Sequence, residues 1–164
     1  IPVSRFLGDP SRKLETHHGK ATITLWHDIS NMFRWRTAFR TAVTSSRYSS
    51  LESNFLVGAE SDGILNLARY EIPTTVQSHY LQNELHGNFT TGSIKHKTII
   101  GIELGRENSS ATASGDFGGD TSTPGAFSYI NIFNTNDRLF LNPALTKFSD
   151  ASTQNNILGA YFGD

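Results

Sequence analysis

The sequence has 164 residues and a formal net charge of −1, so no overall charge points to a nucleic-acid partner. Only 37% of the residues are hydrophobic, and cysteine is absent, which excludes disulfides, thiolate zinc sites and cysteine nucleophiles. No apolar run approaches the roughly 18 residues of a transmembrane helix, and the abundance of Thr, Phe, Tyr and Gly favours an all-β fold.

The first two predicted strands, about 18–30 and 33–49, are joined by a tight connection at Ser30–Met32. Both alternate with a period of two residues, which is the period of a strand. The alternation is clearest in the second strand, where arginines occupy one face and mostly apolar residues the other. The two sets are Arg34, Arg36, Ala38, Arg40 and Ala42 on one face, and Phe33, Trp35, Thr37, Phe39, Thr41 and Val43 on the other.

A long connection is predicted at about 50–75, because it contains the turn dipeptide Asp62–Gly63 and Pro73, with room for a short strand from Ile64 to Tyr70. The third and fourth strands, about 76–89 and 94–106, flank a second tight turn at Thr90–Ser93. A second long connection, about 107–151, is rich in Ser, Asn, Gly and Pro, and the last strand covers about 152–164. These elements predict an all-β, antiparallel up-and-down meander of about five to six strands.

Short and long connections therefore alternate along the chain. Outer-membrane β-barrels have short periplasmic turns and long extracellular loops, and a long structureless loop is uncommon inside a compact soluble domain. The pattern predicts part of a large transmembrane β-barrel, with the connections at about 50–75 and 107–151 as extracellular loops. The chain begins at Ile1 rather than at Met, and we expect it to be a segment of a larger protein.

Several segments, taken in order, carry a resemblance to a known family. The strongest is Leu81-Gln82-Asn83-Glu84-Leu85-His86-Gly87-Asn88-Phe89-Thr90-Thr91-Gly92, which runs into the alternating segment 96–103; segments 5–10, 26–40, 142–143 and 156–161 add to it. Together they resemble the TonB-dependent outer-membrane receptors, in the branch that takes up ferric siderophores. The resemblance implies that residues 1–164 are a partial β-barrel domain without the plug domain, since complete members have about 22 strands.

The resemblance also implies function and partners. It implies a section of a receptor for energy-coupled uptake of ferric siderophores in the bacterial cell outer membrane, with the ferric siderophore as transported ligand and no cofactor. The implied partners are outer-membrane lipid, the plug domain, the remaining barrel strands and the TonB energy-coupling protein. No enzymatic activity is expected, because no Gly-x-Ser-x-Gly elbow, cysteine or distinct carboxylate pair is present.

The candidate ligand-binding residues are Arg36 and Arg40 on the arginine strand and the loop aromatics Phe127 and Tyr129. The arginines could attract an anionic ferric chelate, contact acidic plug side chains, or simply be solvated in a polar lumen. The aromatics could capture a siderophore, pack the loop on itself, or belong to an interfacial girdle. No metal site is expected, because adjacent His17 and His18 point to opposite faces of a strand.

A different class of protein would be a soluble β-sandwich that binds a ligand or carbohydrate. A sandwich buries one apolar face of each strand against a second sheet and keeps most loops short. The environment of the apolar faces therefore distinguishes the two hypotheses.

Overall fold

The structure is a computed structural model, and it describes residues 9–54, 63–116 and 128–164. Those residues form strands and connections, with no helix among them, so the all-β prediction is confirmed. None of the elements in these ranges is a helix long and apolar enough to cross a membrane. The strands are β1 Leu14–Asp28, β2 Phe33–Ser53, β3 Ile64–Thr91, β4 Ile94–Asp116, β5 Ser128–Asn131, β6 Arg138–Leu139 and β7 Thr146–Gly163.

The strands form one sheet with the order β1–β2–β3–β4–β7, an antiparallel meander as expected. The β5–β6 hairpin lies off this path: β5 pairs with β3, placing Leu65 opposite Ile130, and β6 pairs only with β5. Strands β1 and β7 end the strand order and do not pair with each other, so the sheet is not a closed barrel.

The two tight connections follow from local sequence. In the first, the Ser30 hydroxyl accepts hydrogen bonds from the backbone amides of Met32 and Phe33, at 3.2 Å each. In the second, Gly92 adopts a φ of +63°, and a two-residue hairpin turn of type II′ requires a positive φ at its first central position. Glycine meets this requirement without steric cost.

The predicted long connections are wrong in extent. Residues 50–53, expected in the first connection, belong to β2. The short strand allowed from Ile64 to Tyr70 is the beginning of β3, which continues through residues 71–75. Residues 107–116, expected in the second connection, belong to β4. The second connection also contains β5, β6 and the start of β7. Strand pairing with a neighbour fixes these polar segments as strands despite their weak local preference, because β propensity depends strongly on context.

The chain divides into two compact units. Unit 1 comprises Ile1–Thr16, Ser46–Thr74 and Ala111–Ala151, and unit 2 comprises His17–Ser45, Thr75–Ser110 and Ser152–Asp164. Among the described residues of unit 1, Leu67, Ala68 and Ile130 are the buried hydrophobic residues, on strands β3 and β5 where these two pair. In the described part of unit 2, Ala38 alone is a buried hydrophobic residue. Both faces of the sheet in unit 2 are therefore accessible, because almost none of its hydrophobic side chains is buried.

Candidate functional site

One face of the sheet in unit 2 carries ten exposed apolar side chains, with a few polar ones such as Thr37 and Asn83 among them. We call the ten apolar residues the apolar belt, and their exposed fractions range from 42% to 79%. Exposing apolar surface to water costs about 25 cal/mol per Å², and extended apolar patches mark surfaces that another phase or molecule covers. The belt consists of Ile23, Leu25, Trp35, Phe39, Val43, Ile100, Ile102, Leu104, Leu158 and Phe162.

The opposite face of unit 2 is polar and internally bonded; we call it the polar face. Its central group is Glu84, which is buried and forms an ion pair with Arg36 at 3.0 Å. The Tyr161 hydroxyl donates to Glu84 Oε1 at 2.5 Å, and His86 Nε2 lies 2.9 Å from Glu84 Oε2. Gln82 accepts from Arg36 at 2.6 Å and donates to Tyr161 at 2.9 Å. These five residues are the Glu84 cluster.

The Glu84 cluster joins three strands: β2 supplies Arg36, β7 supplies Tyr161, and β3 supplies the other three residues. A charged group removed from water must be paired and hydrogen-bonded, and Glu84 meets this requirement through a guanidinium, a hydroxyl and an imidazole. The cluster is therefore a structural element that ties β2 and β7 to β3 on the polar face.

Aromatic rings and arginines extend the polar face along the strands. The guanidinium carbons of Arg34 and Arg36 lie 5.8 and 5.6 Å from the Trp26 ring centroid, and that of Arg40 lies 4.9 Å from the Tyr80 centroid. These are cation–π distances. Arg34 also pairs with Asp28. No such ion pair involves Arg40 among the described residues, which leaves Arg40 as the stronger of the two predicted arginine candidates for an anionic partner.

Two glycines on β4 make room for the tyrosines of the polar face. The Tyr161 ring lies over Gly101 and the Tyr80 ring over Gly105, each so close that a Cβ atom on the glycine would meet the ring. An aromatic ring packed over a strand glycine covers backbone that would otherwise be exposed and fixes the strand register. This packing positions the Tyr161 hydroxyl at Glu84 and the Tyr80 ring beneath Arg40.

A cavity of about 720 Å³ lies next to the first tight turn. Its lining combines the apolar side chains of Trp26, Met32 and Phe33 with charged and polar groups, so it suits a group with both apolar and polar parts. The lining residues that could bind a ligand through a ring, a charge or a hydrogen bond include Trp26, Asp28, Arg34, His86, Asn88 and Lys97.

No family model matches this chain, and no curated protein matches it.

In unit 1, the predicted aromatic candidates have different outcomes. Tyr129 lies on β5, and its hydroxyl donates to Asp137 Oδ1 at 3.1 Å; this hydrogen bond raises the pKa of the Tyr129 hydroxyl. Phe127 lies outside the described residues. Tyr129 belongs to unit 1, whereas Arg36 and Arg40 belong to unit 2. The aromatic and the arginine candidates therefore remain separate predictions of ligand binding.

Besides His17 and His18, the acids Asp116 and Asp120 of the glycine-rich segment 115–120 are of a residue type that can bind a metal ion. His18 Nδ1 lies 2.8 Å from Thr44 Oγ1. Within residues 9–54, 63–116 and 128–164, no group of three or more His, Asp or Glu side chains could hold a metal ion. Asp116 ends β4, while Asp120 lies outside these ranges.

Unit 1 contains a second charged group, centred on Glu71. Arg47 Nη2 donates to Glu71 at 2.6 Å, Arg69 also pairs with Glu71, and Arg69 further contacts Asn142 and donates to the Pro143 carbonyl at 3.3 Å. The hydrogen bond from Arg47, supported by that from Arg69, lowers the pKa of the Glu71 carboxyl although burial opposes it. Arg69 thereby connects β3 to the segment between β6 and β7.

This arrangement predicts that acid destabilises unit 1. Because the pKa of Glu71 is lower in the folded than in the unfolded chain, its stabilisation is present above the unfolded pKa near 4.5 and is lost as pH falls through the folded pKa. Amide hydrogen exchange around Arg69–Glu71, corrected for intrinsic rates, should therefore lose protection below pH ~4. The variant Glu71→Gln should be less protected at neutral pH and should lose much less protection on acidification; an unchanged acid response would contradict the assignment.

Proposed function

We propose that this chain forms part of the wall of a β-barrel in a bacterial outer membrane, within an energy-coupled receptor for ferric siderophores of the kind it resembles. The observation that supports the proposal is the segregation of unit 2 into an exposed apolar belt and a polar, ion-paired face. A barrel wall needs this pattern, with apolar side chains toward lipid and polar side chains toward the lumen.

Strand length supports the same assignment. A barrel strand crosses a bilayer with ~9–11 residues, whereas β2, β3 and β4 have 21, 28 and 23 residues. We propose that each strand crosses the bilayer next to the tight turns and that its remaining length projects on the extracellular side. The tight turns at 29–32 and 92–93 would then be periplasmic.

An aromatic cluster near the tight turns fits a membrane interface. The Phe33 and Phe89 ring centroids are 6.1 Å apart, and His96 stacks on Phe89 at 5.0 Å. Trp35, next to Phe33 on the same face, is 46% exposed. Barrels carry girdles of aromatic residues at both edges of their apolar band, and this cluster would be part of the periplasmic girdle.

A soluble β-sandwich fits the described residues poorly. In a sandwich, the apolar face of each strand is buried against a second sheet about 10 Å away. The described strands belong to a single sheet, and the apolar belt is exposed on it. Lipid would cover the belt without requiring a second sheet.

The cations of the polar face would interact with the ligand and with the plug domain of the receptor. A ferric siderophore that carries negative charge would be attracted by Arg40 and Lys97, since neither forms an ion pair with an acid within the described ranges. Acidic side chains of a plug domain could use the same cations. The TonB energy-coupling protein would act through the plug, outside the contacts described for this chain.

Cysteine labelling tests the membrane topology, because the native chain has no cysteine. In cells, Asn136→Cys in unit 1 should react with a membrane-impermeant maleimide, while Ser93→Cys at the second turn should react only after the outer membrane is permeabilised. Phe39→Cys in the belt should stay unreactive in both conditions, because lipid excludes the reagent. Equal labelling of all three variants in intact cells would contradict the membrane assignment.

A growth experiment tests the transport part separately. A strain that lacks the gene encoding this chain should lose growth on at least one ferric siderophore as sole iron source, and should grow normally on a ferrous salt. Complementation with the intact gene is the control. Unchanged growth on a broad panel of siderophores would exclude the proposed ligand class while leaving the labelling result unaffected.

A further inference from the structure

A groove of about 430 Å³ lies on the belt side of unit 2 and differs from the rest of the belt. Its apolar wall comes from strands β2, β3, β4 and β7. Arg106, His79 and Asn156 also line it, in the row next to the apolar residues. The groove therefore has an apolar row that crosses four strands and a polar row beside it that carries the positive charge of Arg106. The apolar residues are Phe39, Leu81, Leu104 and Leu158.

Neighbouring side chains hold Arg106 and His79 of the groove in place. Arg106 Nε donates to Asn156 Oδ1 at 3.2 Å, which holds the guanidinium against β7. The His79 ring stacks on Phe39, with 6.4 Å between centroids and 7° between planes, and its Nδ1 lies 3.0 Å from Thr41 Oγ1. Within the described ranges Arg106 forms no ion pair with an acid, so its charge is available to an outside anion.

The position of Arg106 coincides with the end of the apolar belt. On β4, the same face carries Ile100, Ile102 and Leu104 before Arg106, and polar Asn108 after it. On β7, the same face carries Leu158 and then Asn156 and Gln154 in the same direction. The change from apolar to polar residues marks the depth at which acyl chains would give way to headgroups.

We propose that this groove binds a lipid with a phosphate headgroup, a site that depends on the membrane placement proposed above. The acyl chain would lie along Phe39, Leu104 and Leu158, where it covers apolar surface. The phosphate would lie at Arg106, because a guanidinium presents parallel N–H donors that match phosphate oxygens. Asn156 orients the guanidinium, so it is a positioning residue.

The charge complementarity is specific to this face. Arg40 lies on the opposite face over the Tyr80 ring, and the same ring covers Gly105, the neighbour of Arg106. Arg40 and Arg106 are therefore at similar depth with equal charge, but only Arg106 lies beside an apolar groove. This pair provides a matched control.

The test measures lipid binding to the full chain in a neutral detergent by native mass spectrometry, with phosphatidylglycerol and phosphatidylcholine titrated separately. Arg106→Gln should weaken phosphatidylglycerol binding about fivefold, the factor equivalent to the ~1 kcal/mol of one basic residue near anionic lipid. Phosphatidylcholine binding should change little. Arg106→Lys, which keeps the charge, should retain most of the affinity, and Arg40→Gln should bind both lipids as the native chain does.

Three results would overturn the lipid site while leaving the membrane assignment intact: equal affinity for the two lipids in the native chain, equal loss in Arg106→Gln and Arg40→Gln, or displacement of phosphatidylglycerol by equimolar inorganic phosphate. Failure of the membrane assignment would look different, because the chain would then remain monodisperse without detergent and bind neither lipid. A far-UV circular dichroism spectrum unchanged from the native chain confirms that each variant is folded.

Discussion

Phe39→Arg is expected to destabilise the membrane-inserted chain by about 1–2 kcal/mol, less than the ~2–4 kcal/mol that a lipid-facing arginine costs at the bilayer midplane, because Phe39 lies close to the depth of Arg106. Phe39 belongs to the apolar belt, and its ring is 42% exposed and stacked on His79. The variant replaces a side chain suited to acyl chains with a guanidinium that would have to leave water. Ile100→Arg, deeper in the belt on β4, should cost more, about 2–4 kcal/mol. Guanidinium-induced unfolding of the chain in lipid bilayers measures the free-energy difference.

The control variant introduces the same residue on the other face. Thr24 is exposed on β1 and shares the polar face with Trp26, two residues further along the strand. Thr24→Arg should change the free energy of unfolding by less than ~1 kcal/mol, because the new guanidinium stays in water. Arg40→Ala should likewise leave membrane assembly intact. If Thr24→Arg costs more than Phe39→Arg, the assignment of lipid and lumen faces is reversed.

Local features of the fold could be predicted from sequence. The alternation from Phe33 to Val43 predicts two faces, and the contacts confirm them: Arg36 meets Glu84 on one side while Phe39 meets His79 on the other. The tight turn at Gly92 was also predictable, because a positive φ favours glycine. These features depend on residues that are close in sequence.

The extents of the strands could not be predicted in the same way. Residues 107–116 are mostly Ser, Asn, Ala, Thr and Gly, which predict a loop, yet they extend β4. Pro73 predicts an interruption, yet it lies exposed within β3. Pairing with a long neighbouring strand compensates for weak local preference, and this pairing is visible only when the whole sheet is considered.

The Glu84 cluster was missed for a related reason. Arg36 was recognised as a charged candidate, but its partner on β3 depends on the register between strands separated by a long connection. Tyr161 is further still along the chain and reaches Glu84 because Gly101 leaves space for its ring. One signal in the sequence could have found the cluster. Glu84 and Gly101 lie equally far from the turn that contains Gly92, so they are opposite each other when β3 and β4 pair.

Glu84→Gln is expected to reduce the free energy of unfolding by about 1.5–3 kcal/mol, the range for hydrogen bonds to charged groups. Only 9% of the Glu84 side chain is exposed. Its carboxylate forms an ion pair with Arg36 and accepts a hydrogen bond from the Tyr161 hydroxyl at the same time. A neutral amide can still accept from Tyr161, but it leaves the guanidinium of Arg36, 22% exposed, without its counter-ion. Urea-induced unfolding in bilayers or detergent micelles measures the loss.

A double-mutant cycle separates the ion pair from its surroundings. If the pair carries the effect, Arg36→Gln combined with Glu84→Gln should cost less than the sum of the single variants, with a coupling of about 1 kcal/mol or more. Glu107→Gln is the matched control, because Glu107 forms no ion pair among the described residues and its loss should cost under ~0.5 kcal/mol. A coupling near zero would mean that Glu84 is stabilised mainly by Tyr161 and His86. The polar face would then be held together mainly by the bonds between β3 and β7, with Arg36 of β2 attached to it through Gln82.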